Sequence, residues 1–243
     1  MKEVYLDNSA TTRPLDEVIS KTIEVLKDNY GNPSSLHNKG LAAEKILKNA
    51  REKIAEKIEV SSREIYFTSG GTESNNLAIK GIAYQYKNRG KHIITSEIEH
   101  ASVLECFQAL EKEGFEVTYL KVDRQGYISL EELENKIKDT TTLISLIHVN
   151  NEIGTIQNIN KVGKIIKDKN PLCFFHVDAV RSFGKIPVEA ARNNIDLLSI
   201  SGHKIHGPKG IGALYIKNGI KVKTLNHGGG QENGIRNGTE NVP

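Results

Sequence analysis

One lysine, Lys204, stands between two histidines in "SISGHKIHGPKG" (199–210), in a glycine-bounded turn at the end of an apolar run. A primary amine in such a place is a candidate Schiff-base former, because an amine attacks carbonyls when its surroundings keep it reactive. Asp178, 26 residues earlier (204 − 178), closes the apolar stretch "LCFFHVD" (172–178). Its carboxylate could pair with a protonated ring nitrogen. In "SGGTESNN" (69–76), Gly70, Gly71 and Thr72 open a helical pattern. Backbone N–H groups, a hydroxyl and the positive end of a helix dipole suit a phosphate. No Gly-Lys-Ser/Thr follows, so the turn is not a P-loop.

These residues need elements to position them. Apolar runs of strand length recur at 64–69, 91–96, 142–149, 172–178, 195–201 and 211–216. Helical patterns lie between them. In 41–58, Ala43, Ile46, Ala50, Ile54 and Ile58 share one face. Residues 101–113 and 159–169 are helical candidates, and "SLEELENKI" opens with the capping-box pair Ser129 and Glu132. Strand–helix alternation with strands that are apolar throughout predicts a doubly wound, mostly parallel α/β sheet flanked by helices, after a helical N-terminal region. In such sheets ligands bind outside the carboxyl ends of the strands. Five strand ends carry polar or ionisable residues: Gly70–Thr72, His100, Asn150–Asn151, Asp178, and Ser201–His203–Lys204. A phosphate cradle, a ring-nitrogen carboxylate and a Schiff-base lysine together describe a pyridoxal 5'-phosphate site.

Each residue also has a plain structural alternative. Lys204 could be a solvated turn lysine, and Thr72 a helix N-cap. His100 could be a satisfied histidine at a helix start, Asp178 a turn cap, and Arg181 an outward-facing salt-bridge partner. Cys106 and Cys173 read as small buried hydrophobes.

Bulk properties narrow the class. The 243 residues are 37% hydrophobic and 26% charged, which suits a packed domain and argues against disorder. A net charge of +3 without a dense basic block gives no case for nucleic acid or a membrane surface. No apolar stretch reaches membrane-spanning length and no signal peptide opens the chain, so a cytoplasmic location is expected. The two cysteines lie far apart, with neither a disulfide framework nor metal-ligand spacing.

Ordered stretches carry a specific resemblance: "YLDNSATT" (5–12), "NPSSLHNKG" (32–40), "FTSGGTESNNLAIKG" (67–81), "EIEHASV" (97–103), "VNNEIGTIQ" (149–157), "HVDAVRSFGKIPV" (176–188), "SGHKIHGPKGIGALY" (201–215) and "GGGQENGIRNGTENV" (228–242). The chain resembles cysteine desulfurases of the NifS/IscS type, fold-type I pyridoxal phosphate enzymes. The resemblance implies conversion of L-cysteine to L-alanine with sulfur passed to an enzyme cysteine. It makes Lys204 the Schiff-base lysine and places Thr72, Ser201, His203 and the Gly71–Thr72 backbone on the phosphate. His100 would stack on the ring and move protons, Asp178 would bind the pyridine nitrogen, and Asn151 would lie near the phenolic oxygen and the substrate carboxylate. Thr239 would reach the phosphate of a partner subunit, so a homodimer is expected, with a sulfur-acceptor or iron–sulfur scaffold protein as a further partner. Residues 1–15 are expected to pack with a small domain, and 16–243 to form the cofactor-binding large domain.

Two departures stand out. Arg181 occupies a position where the family usually has glutamine, beside the phenolic oxygen. The family's C-terminal small domain, with its sulfur-accepting cysteine loop and a carboxylate-binding arginine, has no match in the chain. Alternatives left open are another fold-type I enzyme, such as a selenocysteine lyase or aminotransferase, a non-catalytic or split-enzyme half, and a truncation product.

Overall fold

A computed structural model describes residues 3–243. Among these, seven strands form one sheet: β1 (Ile65–Thr68), β2 (His92–Ser96), β3 (Glu116–Leu120), β4 (Thr141–Ile147), β5 (Phe174–Asp178), β6 (Leu197–Ser201) and β7 (Gly212–Ile216). Their spatial order is β1-β7-β6-β5-β4-β2-β3. β7 runs antiparallel to both neighbours, and every other pair is parallel. The helices are α1 (Asp16–Asp28), α2 (Asn38–Lys57), α3 (Gly71–Tyr86), α4 (Ala101–Lys112), α5 (Leu130–Lys136) and α6 (Ile159–Lys169).

The strands are apolar throughout because both faces of the sheet are covered. Successive residues Ile93/Ile94, Leu143/Ile144, Leu197/Leu198 and Leu214/Tyr215 point into opposite clusters. One cluster packs against α3 and α4 through Leu77, Ile82, Val103 and Phe107. The other packs against α2, α5 and α6 through Ala55, Leu133, Val162 and Ile166. Phe107 is fully buried, and its truncation to alanine would cost about 3–5 kcal/mol.

All six expected strands form, as do the expected helices at 41–58, 101–113 and 159–169. Ser129 caps α5 by accepting from the Glu132 N–H at 3.1 Å. β3 was not expected. It is the edge strand, Glu116 is exposed, and the next three residues are half-buried, so it shows no continuous apolar run. The crossover from Asp178 to β6 is made of turns without a regular helix. α1 begins after an extended segment that is pinned to the turn carrying Lys204. Thr12 N–H donates to His203 O at 2.9 Å and Leu15 N–H to His206 O at 3.1 Å. Of the expected 1–15 segment, Met1 and Lys2 lie outside the described residues.

Candidate active site

The parallel strands β1, β2, β4, β5 and β6 end on one edge of the sheet, and a cavity of about 190 Å³ lies there. Its lining draws on all five ends: Gly71 and Thr72 after β1, His100 and Ser102 after β2, Ile147 and Asn151 at β4, Asp178, Val180 and Arg181 at β5, and Ser201, His203 and Lys204 at β6. Every expected site residue except Thr239 therefore lines one cavity. Thr239 is exposed and lies outside it, beyond a 3-10 turn at Glu232–Gly234.

Two glycines shape the end of the cavity where a phosphate is expected. Gly70 holds φ 150°, a conformation strained for any side chain, and this lets β1 turn at once into α3. A Cβ on Gly71 would lie 2.7 Å from Val180 Cγ2, so the turn has no room for one. Gly70 is the residue that caps α3, with no side-chain cap bond, so Thr72 is not the N-cap. Gly71, Thr72, Ser201 and His203 line the cavity together, and the first amides of a helix have no intrahelical partner, which suits an anion.

Asp178 is buried at 2% exposure. Asn75 Nδ2–H donates to its Oδ2 at 2.9 Å and Val180 N–H to its Oδ1 at 3.0 Å. Burial pushes its carboxyl above the ordinary range, opposed by these two bonds and by His100 and Arg181. A carboxylate penalised by burial is relieved by a cationic partner, which a protonated ring nitrogen supplies. The Val180 bond also makes Asp178 the cap of a turn, as its structural alternative expects, and the carboxyl lines the cavity as well.

Lys204 is no solvated turn lysine. It is 8% exposed, and its Nζ donates to Ser9 O at 3.1 Å and to Ala10 O. Burial, then the positive charges of Arg181 and Lys185, push its amine down to about 8. At neutral pH a useful fraction of that amine is unprotonated, as attack on a carbonyl requires. The same environment lowers His203, by burial first and then by Lys204. His203 Nδ1 is 3.0 Å from Thr11 Oγ1, a second tie to the N-terminal segment.

Arg181 does not face outward. It lines the cavity, makes no salt bridge among the described residues, and keeps Nη1 buried without a partner. That orphaned donor fits an oxygen of a bound group. His100 is both the N-cap of α4 and a cavity residue. Asn151 lines the cavity, whereas Asn150 is structural. Its Oδ1 accepts from Glu152 N–H and Ile153 N–H, and its Nδ2 donates to Ile98 O at 2.8 Å. Cys106 and Cys173 are buried, and burial pushes their thiols up to about 11 and about 12.

Sequence reasoning passed over Asn75, Ser102, Ile147 and Val180 as cavity residues. Asn75 had a readable signal: it lies four residues after Gly71, on the same face of α3. Beneath the cavity floor a fully buried polar row crosses the sheet. His176 bonds Ser145 Oγ at 2.8 Å and Ser199 Oγ at 2.9 Å, and burial holds its ring neutral, down to about 3.

These residues fit pyridoxal 5'-phosphate. Gly71, Thr72, Ser201 and His203 would hold its phosphate, Asp178 its ring nitrogen, and Lys204 its aldehyde carbon.

Comparison with known proteins agrees with the geometry. The family model described as aminotransferase class-V matches residues 4–242. The chain is 52% identical over 242 residues to the cysteine desulfurase IscS of Methanosarcina thermophila, covering 100% of this chain and 59% of that protein. Among solved structures it is similar to a NifS-like protein, with a TM-score of 0.97, 46% identity, and coverage of 99% of this chain and 66% of the other. A structure described as SspA in complex with cysteine matches with a TM-score of 0.94 and 43% identity, covering 98% and 69%. The chain spans about 60% of the length of the curated relatives it matches. With its family model matched almost from end to end, this chain belongs to the class-V aminotransferases.

Proposed function

We propose that this chain is the cofactor-binding part of a pyridoxal phosphate-dependent cysteine desulfurase. One observation carries the reading: five strand ends bring a glycine turn at a helix start, a buried carboxylate and a buried lysine with a depressed pKa into a single cavity. Pyridoxal phosphate supplies an electron sink for charge developing at the substrate α-carbon. The chain's residues supply the rest. Asp178 would hold the ring nitrogen. Lys204 would hold the aldehyde carbon, and its amine, pushed down to about 8, could take up or give a proton in the cavity. His100 is the second proton carrier. Arg181 and Asn151 offer donors to the phenolic oxygen and to a carboxylate.

In the overall reaction the C–S bond of L-cysteine breaks, its sulfur moves to a cysteine thiolate as a persulfide, and protonation leaves L-alanine. The two cysteines here do not suit the acceptor role, because both are buried and both thiols are held protonated at neutral pH. The acceptor is therefore another cysteine, and a sulfur-acceptor or iron–sulfur scaffold protein would take the sulfur onward. Thr239, exposed and outside its own cavity, would complete the phosphate site of a second copy in a cytoplasmic homodimer. Residues 1–15 would pack with a small domain as well as on the Lys204 turn.

Borohydride reduction of the chain supplied with pyridoxal phosphate, followed by peptide mapping, tests the reading. Label is expected on Lys204. Label on another lysine, or none on folded protein, would reject the site.

A further inference from the structure

Asn75 is fully buried on α3, and its side-chain nitrogen donates twice: to Asp178 Oδ2 at 2.9 Å and to Ser102 Oγ at 2.8 Å. An amide nitrogen has two protons, so both are committed. The reverse orientation would set Oδ1 against the Asp178 carboxylate. Ser102 Oγ accepts from Asn75, which leaves its own proton to donate. His100 Nδ1 lies 2.8 Å away. The same Nδ1 accepts from the Ser102 backbone N–H at 3.1 Å. A ring nitrogen that accepts from two donors carries no proton, so a neutral imidazole here carries it on Nε2.

The pattern exceeds what helix capping requires. An N-cap needs the Ser102 N–H alone. The Asn75 link adds nothing to α4, and it leaves Asn75 Oδ1 buried without a partner, a cost that an apolar residue would avoid.

We infer that Asn75 and Ser102 are positioning residues that hold His100 as the Nε2–H tautomer and tie its ring to Asp178. The nitrogen left for proton transfer is then Nε2, and its placement is set from the same amide that orients Asp178. The catalytic consequence rests on the pyridoxal phosphate reading; the tautomer is a property of the chain alone.

Two-bond 1H–15N spectra of the cofactor-free chain with labelled histidines, taken above the ordinary histidine pKa range, read the tautomer directly. His100→Gln assigns the signal. The wild-type chain is expected to show a pyridine-type Nδ1 and a pyrrole-type Nε2. Ser102→Ala should give mixed tautomers, since the backbone N–H alone remains; Asn75→Ala should shift the populations the same way but less, since the Ser102 hydroxyl is then free to accept from Nδ1 as well as to donate to it; and Ser102→Thr should restore the wild-type pattern. In the chain saturated with cofactor, exchange of the α-proton of L-alanine with deuterium should fall about three- to tenfold in both alanine variants. A pyrrole-type Nδ1 in the wild-type chain, or tautomer populations unaltered in both alanine variants, would overturn the inference. The expected tautomers in a chain that binds no cofactor would overturn the pyridoxal phosphate reading and leave the assignment standing.

Discussion

Glu99 offers the sharpest test of how the site is built. It precedes His100, is 6% exposed, accepts a hydrogen bond from Ser96 Oγ at 2.5 Å, and has its second oxygen buried without a partner. Burial, with a contribution from the Asp178 charge, pushes its carboxyl from the ordinary 4.5 up to about 8. The folded chain therefore keeps a proton at pH 7 that the unfolded chain has released. Stability from this group is fully present below pH 4.5 and is lost as pH rises through about 8. Between pH 4.5 and 7 the loss spans 2.5 units, which at about 1.4 kcal/mol per unit is about 3 kcal/mol. Glu99→Gln keeps the shape and the Ser96 acceptor and removes the titration. The variant should match the wild-type chain near pH 4.5 and exceed it by about 3 kcal/mol at pH 7. Urea unfolding at a series of pH values measures this difference. Parallel stability–pH curves for the two chains would refute the reasoning, because they would mean that Glu99 is ionised in the folded state.

Arg181→Gln removes a positive charge beside Lys204 and should raise the Lys204 pKa by about one unit from its depressed value, as read by trace acetylation and peptide mass spectrometry across pH. Glu232 is 7% exposed, holds Arg51 through bonds of 2.7 and 2.8 Å, and accepts from Phe67 N–H at 3.1 Å. Glu232→Ala strands the Arg51 charge and should cost about 3–5 kcal/mol in denaturant unfolding. Cys106→Ser and Cys173→Ser should leave cofactor absorbance unchanged, since neither thiol lines the cavity that holds Lys204 and Asp178. Loss of the cofactor spectrum in either folded variant would contradict that placement.

The strand bodies and the polar residues that follow them are local features of the sequence. Runs such as "TLISLIHV" must be buried on both faces, and a parallel sheet is the arrangement that does so. Parallel strands also place their carboxyl ends on one edge, which is why Lys204, Asp178, Thr72 and His100 are legible as one site in the sequence. β3 escaped because an edge strand needs only one well-packed neighbour and carries no double-sided apolar pattern. Other features depend on contacts between residues remote in sequence. Arg181 could have faced solvent or cavity, since one polar residue after a strand satisfies either. The bonds of residues 9–12 to the Lys204 turn join positions nearly 200 apart. Asn75 meets Ser102 and Asp178 across 27 and 103 residues. Hydrogen-bond geometry of this kind is set by how α3 and α4 pack against the sheet, and packing depends on the whole core at once.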